Sequence, residues 1–308
     1  MPEIVVAIPT FRRPKRLAQL LSALEKLETV YRVVVLVADN DAEKHEGYDL
    51  CRSLCTQYRW SLDPMIAEER GIAQVRNALV ARALSYPGVR YLAMLDDDEW
   101  PEPGWLDELL EVQHETAAEV VSGSVLFDLP EGKASLTRRF DGLNSIRRPT
   151  GRIDMLEGAG NILMTRACLE KLSAPWFDPS FALTGGEDRD FFERVKAEGG
   201  RFAWADEAVA RTAVPEARMS LSWMLRRAYG IGNADMRIFL KYRRRTADRL
   251  REIGKIVLAL LLSPVLFVIL AADPNRAADA LRRFFRNAGK ASALLGRRYN
   301  AYAVTNGE

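Results

Sequence analysis

The sequence is poor in the residues that build disulfide frameworks and histidine-based metal sites. It has three cysteines, Cys51, Cys55 and Cys168, and two histidines, His45 and His114, in 308 residues. Three cysteines are too few for a disulfide framework, and the Cys51–Cys55 pair lacks the second ligand pair of a zinc site. We therefore expect free thiols in a cytosolic compartment. The histidines have no partner at ligand spacing, and we expect both at the surface.

Glycine-rich phosphate loops are also absent. The sequence contains neither the G-x-x-x-x-G-K-[ST] pattern nor the G-x-G-x-x-G pattern, which argues against a nucleoside triphosphatase or a dinucleotide enzyme. The formal net charge is only +2, so the overall charge gives no indication of a nucleic-acid partner, and we expect none. The chain starts without a basic segment followed by an apolar signal run, so export is not expected.

Alternating strand and helix patterns fill most of the chain. The composition is that of a globular protein, with 48% hydrophobic and 28% charged residues. Residues 31–38 are nearly all apolar, as expected for a strand buried on both faces. This alternation predicts an α/β fold with a single, mostly parallel, Rossmann-like sheet and helices on both faces. We assign residues 1–240 to this domain and residues 241–308 to a C-terminal helical region.

The stretch from Arg90 to Trp100 is the most informative part of the sequence. An apolar run of strand length ends there in three carboxylates, Asp96, Asp97 and Asp98. Ligands bind beyond the carboxyl ends of the strands in an open parallel sheet, and a divalent cation would relieve the repulsion among the three acids. A solvated acidic turn that opens the next helix is the alternative. This stretch alone does not separate the two interpretations.

Polar clusters occupy four places where a strand ends or a helix begins. They are residues 9–13, 39–41, 96–98 and 187–190. In a doubly wound sheet these places share one edge, so the pattern predicts that the clusters converge on one cleft.

Five motifs follow one another along the chain: Ile8-Pro9-Thr10-Phe11-Arg12-Arg13, Val37-Ala38-Asp39-Asn40-Asp41, Gly71-Ile72-Ala73 with Arg76-Asn77, Leu95-Asp96-Asp97-Asp98, and Gly186-Glu187-Asp188-Arg189-Asp190-Phe191. In this order and spacing they resemble the family-2 inverting glycosyltransferases of GT-A fold, and the match covers residues 3–230. Residues 221–230, with paired arginines after a tryptophan, are similar to the bacterial exopolysaccharide branch.

The resemblance implies the GT-A fold and an activity. A sugar would pass from a nucleotide-diphosphate donor, expected to be a UDP-sugar, to a glycan or lipid-linked acceptor in bacterial surface or exopolysaccharide assembly. Displacement of the diphosphate needs its charge neutralised, and the attacking hydroxyl needs a positioned carboxylate to take its proton. A sugar-phosphate nucleotidyltransferase and a non-catalytic nucleotide-sugar-binding or scaffold protein are the alternatives.

The resemblance also implies roles for single residues. Asp188 would be the general base, Glu187 would bind or orient the acceptor, and Asp98 would hold Mg²⁺ or Mn²⁺. The alternative for Glu187 and Asp188 is that they are simply acids at a helix amino terminus. For Arg226 and Arg227, binding to membrane phosphates is an equal alternative to binding the donor. The residues that would bind the donor nucleotide, the donor set, are Pro9, Thr10, Arg13, Asp39, Arg76, Asp96, Arg226 and Arg227.

One position departs from the family pattern. Many relatives carry a metal-binding histidine after the base, whereas residues 209–212 offer none. Either Asp98, phosphate and waters hold the cation, or the metal dependence is weaker than usual.

The C-terminal region contains an apolar segment between basic blocks. Residues 256–272 are seventeen uncharged residues interrupted by Pro264, slightly short of the about 20 that span a bilayer. Basic residues on both sides favour a cytoplasmic location for both flanks. We therefore expect a re-entrant or in-plane segment at the cytoplasmic face of the bacterial inner membrane. A core helix at a dimer interface is the alternative, and self-association into a homo-oligomer stays open.

Overall fold

The computed structural model describes residues 3–132, 145–243 and 245–301. Its nine strands form one sheet in the order β3-β2-β1-β4-β8-β6-β9-β5, with β7 paired to β9. The strands are β1 (Ile4–Thr10), β2 (Val33–Asp39), β3 (Ser61–Ile66), β4 (Tyr91–Met94), β5 (Trp100–Pro101), β6 (Val120–Asp128), β7 (Gly151–Ile153), β8 (Ile162–Thr165) and β9 (Phe202–Ala213).

The amino-terminal half of the sheet is parallel, as predicted. Strands β3, β2, β1 and β4 pair in parallel, and every residue of β1 and β2 is buried. This burial explains why both strands are continuous apolar runs rather than alternating ones. Because β1 and β4 are parallel neighbours, their carboxyl ends lie side by side.

The other half makes the sheet more mixed than predicted. Strand β8 is antiparallel to both β4 and β6, and β5 and β7 are antiparallel to β9, whereas β6 and β9 are parallel. Parallel neighbours need a crossover connection, usually a helix. Strand β8 therefore needs no such crossover after β6, since the two strands run in opposite directions.

Helices cover both faces of the sheet and enclose two cores. One face carries α1 (Pro14–Leu24), α2 (Glu46–Leu54) and α4 (Trp105–Thr116). The other carries α3 (Ile72–Leu84), α5 (Arg166–Lys171) and α6 (Glu187–Ala197). In α1 the buried residues Leu17, Leu20, Leu21 and Leu24 form the apolar stripe that its 3–4 spacing predicts. The prediction of helices on both faces is confirmed.

Three long helices follow the sheet: α7 (Leu221–Tyr242), α8 (Thr246–Ile269) and α9 (Pro274–Leu294). The backbones of α7 and α9 approach closely through glycines. A Cβ at Gly232 would lie 1.9 Å from the carbonyl oxygen of Arg286, and one at Gly289 would lie 2.0 Å from that of Tyr229. The predicted domain boundary at residue 240 falls inside α7, the helix on which α9 packs.

Helix α8 differs from its neighbours because most of its apolar surface is exposed. Leu261 is 67% exposed and Val268 is 72% exposed. Pro264 lies inside the helix, which continues to Ile269. Within the described residues α8 is the one helix that is long and apolar enough to cross a membrane, with a mean hydropathy of 2.2 over its most apolar window.

The three cysteines are free thiols, as predicted. Burial raises the pKa of Cys51 and of Cys168 to about 12. Both therefore stay protonated and act as small core residues.

Candidate functional site

The ends of β1 and β4 are joined by hydrogen bonds to Asp97. Thr10 Oγ1 donates to Asp97 Oδ2 at 2.9 Å, and Arg13 Nη1 donates to Asp97 Oδ1 at 3.0 Å. Asp97 is buried, and this burial raises its pKa to about 6 in spite of the nearby Arg13. The middle acid of the triplet therefore connects two strand ends, and its two oxygens are both occupied.

Asp98 faces three guanidinium groups. Its Oδ2 atom lies 3.5 Å from Arg13 Nη1, 3.6 Å from Arg16 Nη1 and 3.6 Å from Arg218 Nη2. Arg16 lies in the first turn of α1, three residues after Arg13 at the N-cap of that helix, so helical spacing could have identified it. Arg218 belongs to a short 3₁₀ turn, Glu216–Met219, after β9, and no local signal marks it. Sequence reasoning selected Arg13 and missed the other two.

Arg76 joins the acidic triplet to the amino terminus of α6. It is 4% exposed, and its guanidinium donates to Asp96 Oδ1 at 2.9 Å and to Glu187 Oε1 at 2.6 Å. The predicted role of Arg76 beside the nucleotide stays a prediction. Its observed contacts position two carboxylates that come from distant parts of the chain.

Two glycines turn the chain sharply into α6. Gly185 has φ +72° and Gly186 has φ +95°, a left-handed conformation that glycine adopts without strain. A Cβ at Gly186 would lie 2.9 Å from the Cβ of Ala234 on α7. The turn is therefore packed tightly against α7, and it fixes the direction of the two acids that follow it.

Those two acids face different surroundings. Glu187 is 3% exposed and contacts Arg76. Asp188 Oδ1 accepts the backbone N–H of Arg189 at 2.7 Å, and its Oδ2 lies 4.0 Å from the position of a Cβ on Gly158, where no side chain stands. Burial raises the pKa of both carboxyls, and Arg76 opposes this shift. A carboxylate with a raised pKa is a stronger proton acceptor.

Asp39 lies deeper than expected for a nucleotide-binding residue. It is buried, and its carboxylate accepts the backbone N–H groups of Asp41, Gly47 and Tyr48 at 2.8–3.0 Å. It thus holds the turn from β2 into α2, and its proposed contact with a nucleotide remains a prediction.

Asn40 is a site residue to which sequence reasoning gave no role. Its Nδ2 donates to the carbonyl oxygens of Ala67 and Glu69, and its Oδ1 accepts the backbone N–H of Gly71 at 2.7 Å. These bonds join the end of β2 to the turn that opens α3. The position of Asn40 inside the second motif was the available signal.

The remaining donor-set residues are Pro9 in β1 and two arginines on α7. Pro9 is buried in β1, in register with Ala38 of β2. Arg226 and Arg227 are exposed on α7, and neither forms an ion pair with a described residue. The guanidinium carbon of Arg227 lies 5.3 Å from the ring centroid of Trp223, and that of Arg218 lies 5.9 Å from it.

The described residues do not form a divalent-cation site by themselves. No group of three or more His, Cys, Asp or Glu side chains among them could hold a metal ion. Asp97 is occupied by Thr10 and Arg13, and Asp98 faces three arginines. These carboxylates therefore do not fit a divalent cation that is held by protein side chains alone.

Comparison with known proteins identifies the family. Residues 5–168 match the family model described as Glycosyl transferase family 2. The chain belongs to glycosyltransferase family 2. This glycosyltransferase is 30% identical over 315 residues to the Succinoglycan biosynthesis protein ExoM of Rhizobium meliloti (strain 1021), an alignment that covers 98% of the chain and 97% of ExoM. It is 26% identical over 240 residues to Chondroitin synthase of Escherichia coli, covering 67% of the chain and 34% of that protein.

Solved structures support the same fold. The crystal structure of residues 1–349 of S. aureus TarS in complex with UDP aligns with a TM-score of 0.53 at 14% identity, covering 99% of this glycosyltransferase and 95% of the TarS 1–349 chain. The predicted family and GT-A fold are confirmed. The chain is a glycosyltransferase of polysaccharide biosynthesis, and neither the nucleotidyltransferase nor the non-catalytic alternative is favoured.

Proposed function

We propose that the chain is an inverting glycosyltransferase that transfers a sugar from a UDP-sugar to a glycan or lipid-linked acceptor in bacterial surface or exopolysaccharide assembly. The observation that carries this proposal is the contact of Arg76 with both Asp96 and Glu187, which joins the strand-end acids to the acids of α6 in one cleft. The ExoM relative supports an exopolysaccharide role. The TarS complexes with UDP and with UDP-GlcNAc support a UDP-sugar donor.

Asp188 is the proposed general base. The acceptor hydroxyl attacks the anomeric carbon, its proton passes to Asp188, and the electron pair of the breaking bond leaves with the diphosphate. A single displacement inverts the anomeric configuration. The open space beside Gly158 supports access of an acceptor to Asp188, and the contact of Glu187 with Arg76 supports an orienting role for Glu187.

The donor side of the cleft is assigned to Pro9, Thr10, Arg13, Asp39, Arg76 and Asp96, with Arg226 and Arg227 at its border. Enzymes of GT-A fold typically use a divalent cation, and Asp98 is the residue we expect to contact Mg²⁺ or Mn²⁺. When bound, such a cation would neutralise diphosphate charge. Because the carboxylates of the site do not fit a cation held by the protein alone, we assign no step of the reaction to a cation.

We also propose that the C-terminal helices attach the enzyme to the cytoplasmic face of the inner membrane. The exposed apolar side chains of α8 and the arginines around its amino terminus, among them Arg243 and Arg251, support contact with an anionic bilayer. Flotation with phosphatidylglycerol vesicles tests this. The full chain should float, and Leu261→Glu with Val265→Glu should not. Dimerisation through α8 without flotation would contradict the membrane assignment.

The donor assignment is tested by thermal unfolding of the full chain with a panel of nucleotide sugars. A ligand at 100 times its Kd stabilises the folded state by about 2.7 kcal/mol, which raises Tm by about 5 °C for a protein of this size. A UDP-sugar should give such a rise and should release UDP slowly on incubation. If no nucleotide sugar raises Tm, the proposed donor class is wrong.

A further inference from the structure

The three arginines around Asp98 form a concentrated positive site at the edge of the sheet. We refer to Arg13, Arg16 and Arg218 as the arginine cluster. Arg13 comes from the turn before α1, Arg16 from its first turn, and Arg218 from the turn after β9. All three lie within 3.6 Å of the single atom Asp98 Oδ2, although Arg13 also pairs with Asp97. The cluster and its two acids thus carry a net positive charge.

This arrangement is unfavourable in the free protein. The side chains of Arg13, Arg16 and Arg218 are only 20–29% exposed. Arg16 Nη1 is buried and has no hydrogen-bond partner within the described part of the chain. Burial and the neighbouring arginines Arg13, Arg16 and Arg227 lower the pKa of Arg218. Like charges brought together away from water repel each other, and a bound anion with several oxygens would remove that cost.

The cluster stands where a donor's phosphates belong in the proposed reaction. Arg13 and Thr10 share Asp97, so the arginines lie directly beside the end of β1. Trp223 contacts both Arg218 and Arg227 and extends the positive surface toward α7. A guanidinium group offers a planar set of N–H donors that suits phosphate oxygens.

We propose that the arginine cluster binds the diphosphate of the donor and neutralises the nucleoside diphosphate as it leaves, with Arg16 and Arg218 as diphosphate-binding residues. This inference rests on the proposed function. The bond between the anomeric carbon and the diphosphate oxygen breaks, the electron pair stays on that oxygen, and the arginines stabilise the added charge. The acceptor oxygen forms the new bond, and its proton passes to Asp188. In the free enzyme Asp98 holds the three guanidinium groups together.

A consequence is that the protein itself supplies much of the positive charge that a divalent cation supplies elsewhere. Nucleoside diphosphate binding should then persist when divalent cations are chelated. It should also weaken moderately as salt is added, since ions screen the attraction between the partly exposed arginines and the diphosphate.

Calorimetry with UDP and with uridine, in EDTA, tests the inference on the full chain. The proteins compared are the wild type, Arg16→Gln, Arg218→Gln and the double variant that combines these two changes. Arg201→Gln is measured beside them as the control. Arg201 is a matched control because it pairs with Glu119 at the beginning of β9, the opposite end of the strand that leads to Arg218. Hydrogen bonds to charged groups support a loss of about tenfold to a hundredfold in UDP affinity for the double variant. Uridine affinity should stay unchanged, and Arg201→Gln should bind UDP as the wild type does.

The outcomes separate the inference from the proposed function. A double variant that binds UDP like the wild type overturns the inference, and so does a wild type that binds UDP only with Mn²⁺. Neither result affects the proposed donor class. A wild type that binds no UDP with or without Mn²⁺ overturns both. If the double variant does not fold, the wild-type protein alone decides: in EDTA it must bind UDP at least tenfold tighter than uridine. Equal affinities for UDP and uridine overturn the inference.

Discussion

Replacement of Asp188 by asparagine separates a catalytic role from a structural one. The asparagine oxygen can still accept the backbone N–H of Arg189, the bond that Asp188 Oδ1 makes at 2.7 Å. Burial disfavours the ionised form of Asp188, so a neutral amide should leave the free energy of unfolding unchanged or slightly higher at pH 7. Turnover should nevertheless fall by about 10²–10⁴, the usual contribution of a general base. That range corresponds to about 3–5 kcal/mol of activation free energy.

Glu187→Gln should behave differently because Glu187 is half of a buried ion pair. Its Oε1 accepts from Arg76 at 2.6 Å. Removing one partner of a buried pair costs about 3–5 kcal/mol when the other charge is left alone. Here Arg76 keeps Asp96 and a neutral acceptor, and burial already disfavours the ionised form of Glu187, so we expect a smaller loss of about 1–3 kcal/mol. Glu187→Gln should therefore lower both stability and turnover, whereas Asp188→Asn should lower turnover alone.

The assay combines UDP release from the donor, UDP binding by calorimetry and urea unfolding. UDP affinity should be unchanged in Asp188→Asn, since the base contacts the acceptor. Glu193→Gln is the matched control, because Glu193 lies on the same helix and pairs with Arg189 instead of Arg76; its turnover should be that of the wild type. Near-normal turnover in Asp188→Asn would refute the reasoning. A loss of stability in Asp188→Asn equal to that in Glu187→Gln would instead indicate a structural role.

Three further predictions concern stability, measured by urea unfolding. Gly289→Ala places a Cβ 2.0 Å from a backbone oxygen of α7 and should lower the free energy of unfolding by about 1–3 kcal/mol in spite of better helix propensity. At the control position, the new Cβ of Gly254→Ala meets no atom within 4 Å, and this variant should gain about 0.5–1 kcal/mol. Equal effects of the two changes would contradict the close contact at Gly289. Asn161→Ala removes three buried hydrogen bonds, to Trp105 and to two backbone carbonyls, and should cost about 3 kcal/mol or more; a loss under about 1 kcal/mol would refute this. The pKa of Asp97 is raised to about 6, so above about pH 4 the folded state binds more protons than the unfolded state. The contribution of Asp97 to the free energy of unfolding should therefore fall by up to about 3 kcal/mol as pH rises from about 4 to 6. An Asp97→Asn variant with the same pH dependence as the wild type would contradict this prediction.

The sequence by itself determined the elements and the edge where the site lies. Strands β1 and β2 are apolar up to their last residues, Thr10 and Asp39, because both of their faces are covered, and that pattern is visible in the residues. The leucines of α1 repeat at helical spacing because one stripe of the helix faces the core. Parallel strands bring their carboxyl ends to one edge, so the residue pattern alone assigns the polar residues at those ends to a common cleft. The motif order indicated the family, which the comparisons confirm.

Only the tertiary structure decided which polar groups meet there. Arg16 and Arg218 come from segments that are far apart in the sequence, and both contact the same oxygen of Asp98. Arg76 contacts acids from two other segments, and the carboxylate of Asp39 accepts backbone N–H groups of the turn into α2. The antiparallel direction of β8 beside β4 and β6 likewise follows from the tertiary structure and not from the strand pattern of the sequence. Local periodicity reports which face of an element is buried. The partner of a charged side chain depends on how distant segments pack, because a guanidinium group on a long flexible stem can reach any carboxylate that the fold brings within a few ångströms.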